Sequence, residues 1–169
     1  MKPRISKPPS APLQYIDIID ERYGKLGYAP YRWALHTEPP PWVPLSKPLS
    51  ECRLGLIASG GIYAAGQVAF HWKDDPSYRM IPMDIDSADL RTSHFAYDQT
   101  DARADINVVF PIDTLRRLTQ EGVVGALTAH AFTFMGGIYS ARRVREDMGP
   151  RITDALLEEG ADAVLLVPV

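Results

Sequence analysis

ADAVLLVPV, Ala161–Val169, is the stretch on which the fold turns. Asp162 precedes an apolar run from Ala163 to Val167, and Pro168 breaks it. A short run with no polar alternation, bounded by breakers, reads as a strand covered on both faces. Immediately upstream, residues 140–159 carry Val144, Met148, Ile152, Ala155 and Leu156 roughly on one helical face, with Gly149-Pro150 placed to split the helix and Gly160 to end it. The same order occurs earlier. INVVF (106–110) reads as a second buried strand, and Pro111 at the first helical position with Asp113 in the first turn opens a helix through Leu118 that stops near Gly122. RLGLIA (53–58) reads as a third strand, delivered into Ser59-Gly60-Gly61. Strands of this kind alternating with helices predict an α/β fold with a mostly parallel sheet covered by helices.

The rest of the chain is less regular. Residues 1–12 hold four prolines and no periodicity, which predicts a disordered arm. Leu13, Ile16, Ile19 and Tyr23 recur at helical spacing, so a helix is expected over 13–25, and the α/β domain is expected to run from 13 to 169. Residues 28–48, with Pro39-Pro40-Pro41 between Trp33 and Trp42, read as an extended proline-rich strap, either packed on its own domain or docking a partner. Residues 62–103 read as a long loop region with short elements, a length that suggests function.

Composition narrows the partners. A formal net charge of -3 provides no basic field for a phosphate backbone, so nucleic acid is not expected. No window approaches the roughly 18 apolar residues of a membrane span, and the start has no signal-peptide core. A single cysteine, Cys52, forms no internal disulfide and fits a reducing compartment, so the cytoplasm is expected. Because Glu51 adjoins it, a reactive thiolate is not favoured there.

Ligands of open parallel sheets bind beyond the carboxyl ends of the strands. Ser59, Gly60 and Gly61 after the first strand, Asn107 and Asp113 around the second, and Pro168-Val169 after the third would share that edge, with Ser59, Gly60, Gly61, Asn107 and Asp113 as candidate substrate-binding residues. The glycine pair lets backbone N–H groups approach an anion, or simply makes a tight turn. Neither a Walker pattern nor a dinucleotide fingerprint is present, and no cofactor is expected. In DLRTSHFAYDQTDARADIN (89–107), His94 and Asp98 stand four apart, with Asp101 and Asp105 beyond. Three readings stay open: an acid/base pair of His94 and Asp98, a metal site completed by His71, Asp74 or Asp75, and a hydrogen-bonded loop network. No ligand spacing supports the metal, and none is expected. His130, amid apolar residues, reads as a satisfied core or turn histidine.

The segments LGYAPYRWALH (26–36), PLSECRLGLIASGGIY (48–63), SYRMIP (77–82), DLRTSH (89–94), DINVVFPIDTLRRLTQEGVVGAL (105–127), FTFMGG (132–137) and GADAVLLVPV (160–169) together resemble the selenoprotein B family of glycine, sarcosine, betaine and D-proline reductases, especially its short, D-proline-reductase-like branch. The likeness runs from about residue 14 to the end. It implies that a segment like DAVLLVPV leads directly into a redox motif, a selenocysteine or cysteine with a second cysteine shortly after. The nucleophile would be residue 170. The resemblance thus implies a selenol- or thiol-dependent reductase subunit that cleaves a C–N bond of a small amine or amino-acid-like substrate, draws electrons from a thiol or protein donor, and works as a homo- or hetero-oligomer. The 169 residues alone are expected to be inactive, with an incomplete C-terminal part and an apolar strand 163–167 that promotes association; termination at a selenocysteine codon is one origin of such an end. The rival readings are a non-catalytic interaction module completed by a partner chain and a metal-dependent hydrolase using His71, His94 and the acids.

Overall fold

The structure, a computed structural model, describes residues 14–30 and 35–169; the arm expected over 1–12 lies outside them. The chain divides into two units, residues 1–40 and 41–169. In the first, helix α1 (Tyr15–Lys25) closes with Lys25 paired to Glu21 at 2.5 Å, and none of its residues is buried.

The second unit is built around strand β1 (Arg53–Ala58). After it come β2 (Ile62–Ala64), β3 (Tyr78–Pro82), β4 (Leu90–Thr92), helices α2 (Thr100–Ala104) and α3 (Ile112–Gln120), β5 (Ala126–Leu127), β6 (His130–Phe134), the helical turn α4 (Ala141–Arg143), α5 (Gly149–Glu158) and β7 (Ala163–Val167). β1 pairs in parallel with the whole length of β7, from Leu54 opposite Ala163 to Ala58 opposite Val167. It also pairs in parallel with β5 at Arg53–Ala126 and with β6 at Ile57–Phe132. The partner offset thus rises from 73 to 75 residues between β5 and β6, so two extra residues interrupt what is otherwise one strand line. β3 adds antiparallel to β6, and β2 with β4 forms a separate antiparallel ribbon. The predicted α/β class and mostly parallel sheet are what the chain adopts, with β3 the antiparallel exception.

Alternation along β1 sends its side chains into two cores. Leu54, Leu56 and Ala58 meet Ile81, Phe110, Ile112 and Leu115, which brings α3 onto one face. Ile57 turns to the other, where Phe132 packs with Met148, Ile152 and Leu156 of the C-terminal helix. Residues 141–158 are helical throughout, with a π turn over Val144–Met148 in place of the expected split at Gly149-Pro150. A Cβ on Gly149 would stand 2.9 Å from the Val144 carbonyl oxygen, so the π turn needs the bare backbone there.

The expected strand at INVVF (106–110) is instead a 3₁₀ helix, Ile106–Val108, followed by a hydrogen-bonded turn at Val109. The Asp105 carboxylate accepts the Asn107 N–H, and the Ile106 carbonyl accepts from both Val109 and Phe110, which closes the backbone on itself. Val109 and Phe110 are apolar because they plug the core, while Val108 is exposed. A short apolar run does not separate strand from buried turn. The neighbour of β1 is supplied by residues 126–134.

Candidate functional site

The carboxyl ends of β1, β6 and β7 converge. Ser59 N–H donates to the Val167 carbonyl at 3.1 Å, Gly136 N–H to the Ser59 carbonyl at 3.1 Å, and Gly61 N–H to the Phe134 carbonyl at 3.0 Å. From the end of β7, Val169 N–H donates to Ser59 Oγ at 2.9 Å. Ser59 is therefore the node where three strand exits meet. Between this edge and α5 opens a cavity of about 580 Å³, with Ile57, Ser59, Phe134, Met148, Ile152 and Val169 among its walls. Its wall is mainly apolar, with the hydroxyls of Ser59 and Thr153 as polar points.

The loop after β4 folds down on the same turn. Gly61 has φ +68, and a Cβ there would fall 2.1 Å from the Ser93 carbonyl oxygen, so loop and turn touch backbone to backbone. Ser93 N–H donates to the Gly61 carbonyl at 2.9 Å. The hydroxyls of Tyr97 and Thr92 reach the Gly60 carbonyl at 2.9 and 3.1 Å. Phe95 lies directly over Gly137, where a Cβ would meet its ring at 2.3 Å. His94 thus stands against the Gly60–Gly61 turn and is not among the residues that line the cavity. Its Nδ1 accepts the Ala96 N–H at 3.0 Å, and burial lowers its pKa.

Asp98 does not join it. Residues 94–98 are not helical, so the four-residue spacing does not stack the two side chains. Asp98 instead accepts from the Thr100 hydroxyl and N–H at 2.6 and 3.0 Å, which fixes the entry to α2 and lowers its pKa. Asn107 and Asp113 serve α3 in the same way: Asn107 donates to Asp113 at 2.9 Å, Asp113 N–H returns a bond at 3.0 Å, and Arg116 pairs with the carboxylate at 2.9 Å. The Asn107 bond, foremost, holds the Asp113 pKa down. Of the candidate residues, then, Ser59, Gly60, Gly61 and His94 come together, whereas Asp98, Asn107 and Asp113 are occupied at helix starts. The N–H groups of Ser59 and Gly61 also have protein partners.

His71 bonds Lys73, and among the described residues no group of three His, Cys, Asp or Glu stands close enough to hold a metal ion. His130 Nδ1 pairs with Glu159 at 2.6 Å, and the same carboxylate accepts its backbone N–H at 2.9 Å. The Cys52 thiol is buried and donates to the Pro48 carbonyl at 3.3 Å, at the opposite end of β1 from Ser59. Sequence reasoning missed Thr92, Tyr97 and the Phe134–Gly137 turn. The double glycine of FTFMGG was the available signal for the last.

Comparison with known proteins gives this edge its context. The model of the glycine/sarcosine/betaine reductase selenoprotein B family matches residues 37–169. The chain belongs to that family. It is 40% identical over 130 residues to the D-proline reductase subunit gamma of Acetoanaerobium sticklandii, covering 77% of this chain and 54% of that protein. It is 32% identical over 130 residues to a glycine reductase complex component B subunit gamma of Symbiobacterium thermophilum, covering 70% and 30%. It is 31% identical over 136 residues to a sarcosine reductase complex component B subunit beta of Peptoclostridium acidaminophilum, covering 73% and 29%. The chain therefore spans about half, or less, of the curated relatives it matches. No solved structure matches it significantly. The matched residues 37–169 include every residue of the strand-end cavity, and among the described residues no helix is long and apolar enough to cross a membrane.

Proposed function

We propose that this chain is part of a cytoplasmic reductase subunit that cleaves the C–N bond of a small amine or amino-acid-like substrate at the carboxyl edge of β1, β6 and β7. The observation that carries the reading is the junction of Ser59 with Val169 at the mouth of the 580 Å³ cavity. The family resemblance puts a selenolate or thiolate directly after this strand, and the junction would deliver it to the cavity. In the reaction the chalcogen bonds the carbon bearing nitrogen as the C–N bond breaks, and the amine leaves with a proton. A second thiolate then attacks the chalcogen, the carbon departs with the bonding pair and takes a proton, and an external thiol donor reduces the resulting bridge by supplying an electron pair. The 169 residues contain only Cys52, buried and hydrogen-bonded, so they hold no accessible thiol for this chemistry.

The test is to sequence the encoding DNA beyond codon 169 and assay the full reading frame with D-proline, glycine or sarcosine and a dithiol. A selenocysteine or cysteine codon followed by two residues and a cysteine, with turnover by the full frame and none by the 169-residue chain, is expected. An unrelated continuation, or dithiol-dependent turnover by the 169 residues themselves, overturns the proposal.

A second reading, an interaction module completed by a partner chain, is favoured by one observation: β7 pairs only with β1 among the described residues, while Val164, Leu165 and Leu166 are exposed. The relatives named above as complex components are consistent with hetero-oligomeric assembly. The readings part on activity, because a module yields no turnover in any reading frame.

A further inference from the structure

Among the described residues a single buried side-chain nitrogen or oxygen has no hydrogen-bond partner, Nε2 of His94. Native structures leave few such atoms, since an unpaired buried donor forfeits its hydration without return. The state of this ring follows from its other nitrogen. Ala96 N–H donates to Nδ1 at 3.0 Å, and a backbone amide can only donate, so Nδ1 carries the lone pair and the proton of the neutral ring sits on Nε2. The ring is held in place by Tyr97 and Phe95, with centroids 4.7 and 5.7 Å away, and Tyr97 is itself tied to the Gly60 carbonyl. His94 is thus a fixed, neutral, single-donor group next to the strand-end turn. It has no free lone pair for a metal or for accepting a proton.

An unpaired N–H requires an acceptor with a free lone pair. A protonated amine, itself a donor, cannot satisfy it, but a carboxylate can, and a hydrogen bond to a charged acceptor is the stronger kind. We propose that His94 Nε2–H recognises a carboxylate oxygen of the substrate, which makes His94 a specificity residue for amino acids over plain amines. This rests on the reading of the edge as an amino-acid-like substrate site, and it takes the place of a His94–Asp98 acid/base pair. Because Nε2 is enclosed, residues 93–97 must shift from Gly61 and Gly137 as the substrate enters.

The test uses protein with ¹⁵N-labelled histidine and two matched probe pairs, D-proline against pyrrolidine and sarcosine against dimethylamine, each pair differing by the carboxylate. The free protein is expected to show the Nε2–H tautomer at His94, and one of the amino acids is expected to move the Nε2–H resonance while its amine does not. His94→Phe is expected to weaken binding of that amino acid about tenfold and leave the amine within twofold. An Nδ1–H tautomer, or equal losses for both members of the pair, overturns the inference. An amino acid that shifts the Ser59 and Ile152 amides but not His94 removes this inference and leaves the reductase reading in place. Amino acids that shift neither remove both. Should the variant fail to fold, the resonances of the unaltered protein still decide.

Discussion

Replacing Gly61 by alanine should be far more damaging than the loss of one hydrogen atom suggests. The added Cβ meets two separate obstacles. Gly61 has φ +68, a region that costs an L-residue on the order of 1–2 kcal/mol. The Cβ would also fall 2.1 Å from the Ser93 carbonyl oxygen, which is backbone and cannot rotate away. The loop 93–97 must therefore lift, which gives up the Ser93–Gly61 bond and strains the Tyr97 and Thr92 bonds to Gly60, at about 1 kcal/mol for each bond lost. The expected total is about 3 kcal/mol. Gly66 is the internal control, because it has φ +94 with no atom within 4 Å of its added Cβ, so Gly66→Ala registers backbone strain alone. Urea denaturation of both variants should show Gly66→Ala losing about 1 kcal/mol and Gly61→Ala about 2 kcal/mol more. In the second variant alone, the Ser93 and His94 amides should exchange faster. Equal effects of the two substitutions would refute the claim that the loop is pressed directly onto the turn.

Other outcomes follow from the two cores and the acidic caps. Leu156→Ala should cost about 2–5 kcal/mol by opening a cavity against Phe132, and adding Gly55→Ala should return part of it, because that Cβ enters the place of Leu156 Cδ2, 2.5 Å away; additive losses in a double-mutant cycle would contradict this packing. Asp113, whose pKa is lowered chiefly by Asn107, contributes stability that is complete above the unfolded carboxylate pKa of about 3.9 and is lost as pH falls through its lower folded value. Asp113→Asn should therefore flatten part of the acid limb of a pH–stability curve, and an unchanged limb would count against the network. Leu166→Lys, at a position 66% exposed on the free edge strand, should lower self-association by light scattering without changing the denaturation midpoint by more than about 0.5 kcal/mol; unaltered association places the contact elsewhere.

What the sequence made legible, and what it hid, divides along one physical line. RLGLIA, the helix after Pro111 and ADAVLLVPV were readable because each is a local pattern, a period or a run bounded by breakers, and each forms where expected, although β7 is not covered on both faces as its apolar run predicts: Val164, Leu165 and Leu166 are exposed. INVVF has the same local signature and forms a turn, because its apolar residues answer to the core on one side and its polar neighbours Asp105 and Asn107 close the backbone on itself. β6 was invisible for the opposite reason: His130 and Thr133 interrupt its apolar run although Ala131, Phe132 and Thr133 are all buried, so no continuous apolar run marks it, and only its pairing with β1 and β3 makes it a strand. The site shows the same split. The Ser59-Gly60-Gly61 turn was legible from its glycines, but the assignment of His94 to Asp98 assumed a helix, and the loop that forms instead sends the carboxylate to Thr100 and the imidazole to the Ala96 amide. A spacing of four residues carries meaning only once the backbone between them is known. Where it is known, the meaning changes in kind: a histidine read as a proton carrier becomes a donor with a single unfilled hydrogen bond, and the chemistry to seek beside it is an acceptor oxygen rather than a base.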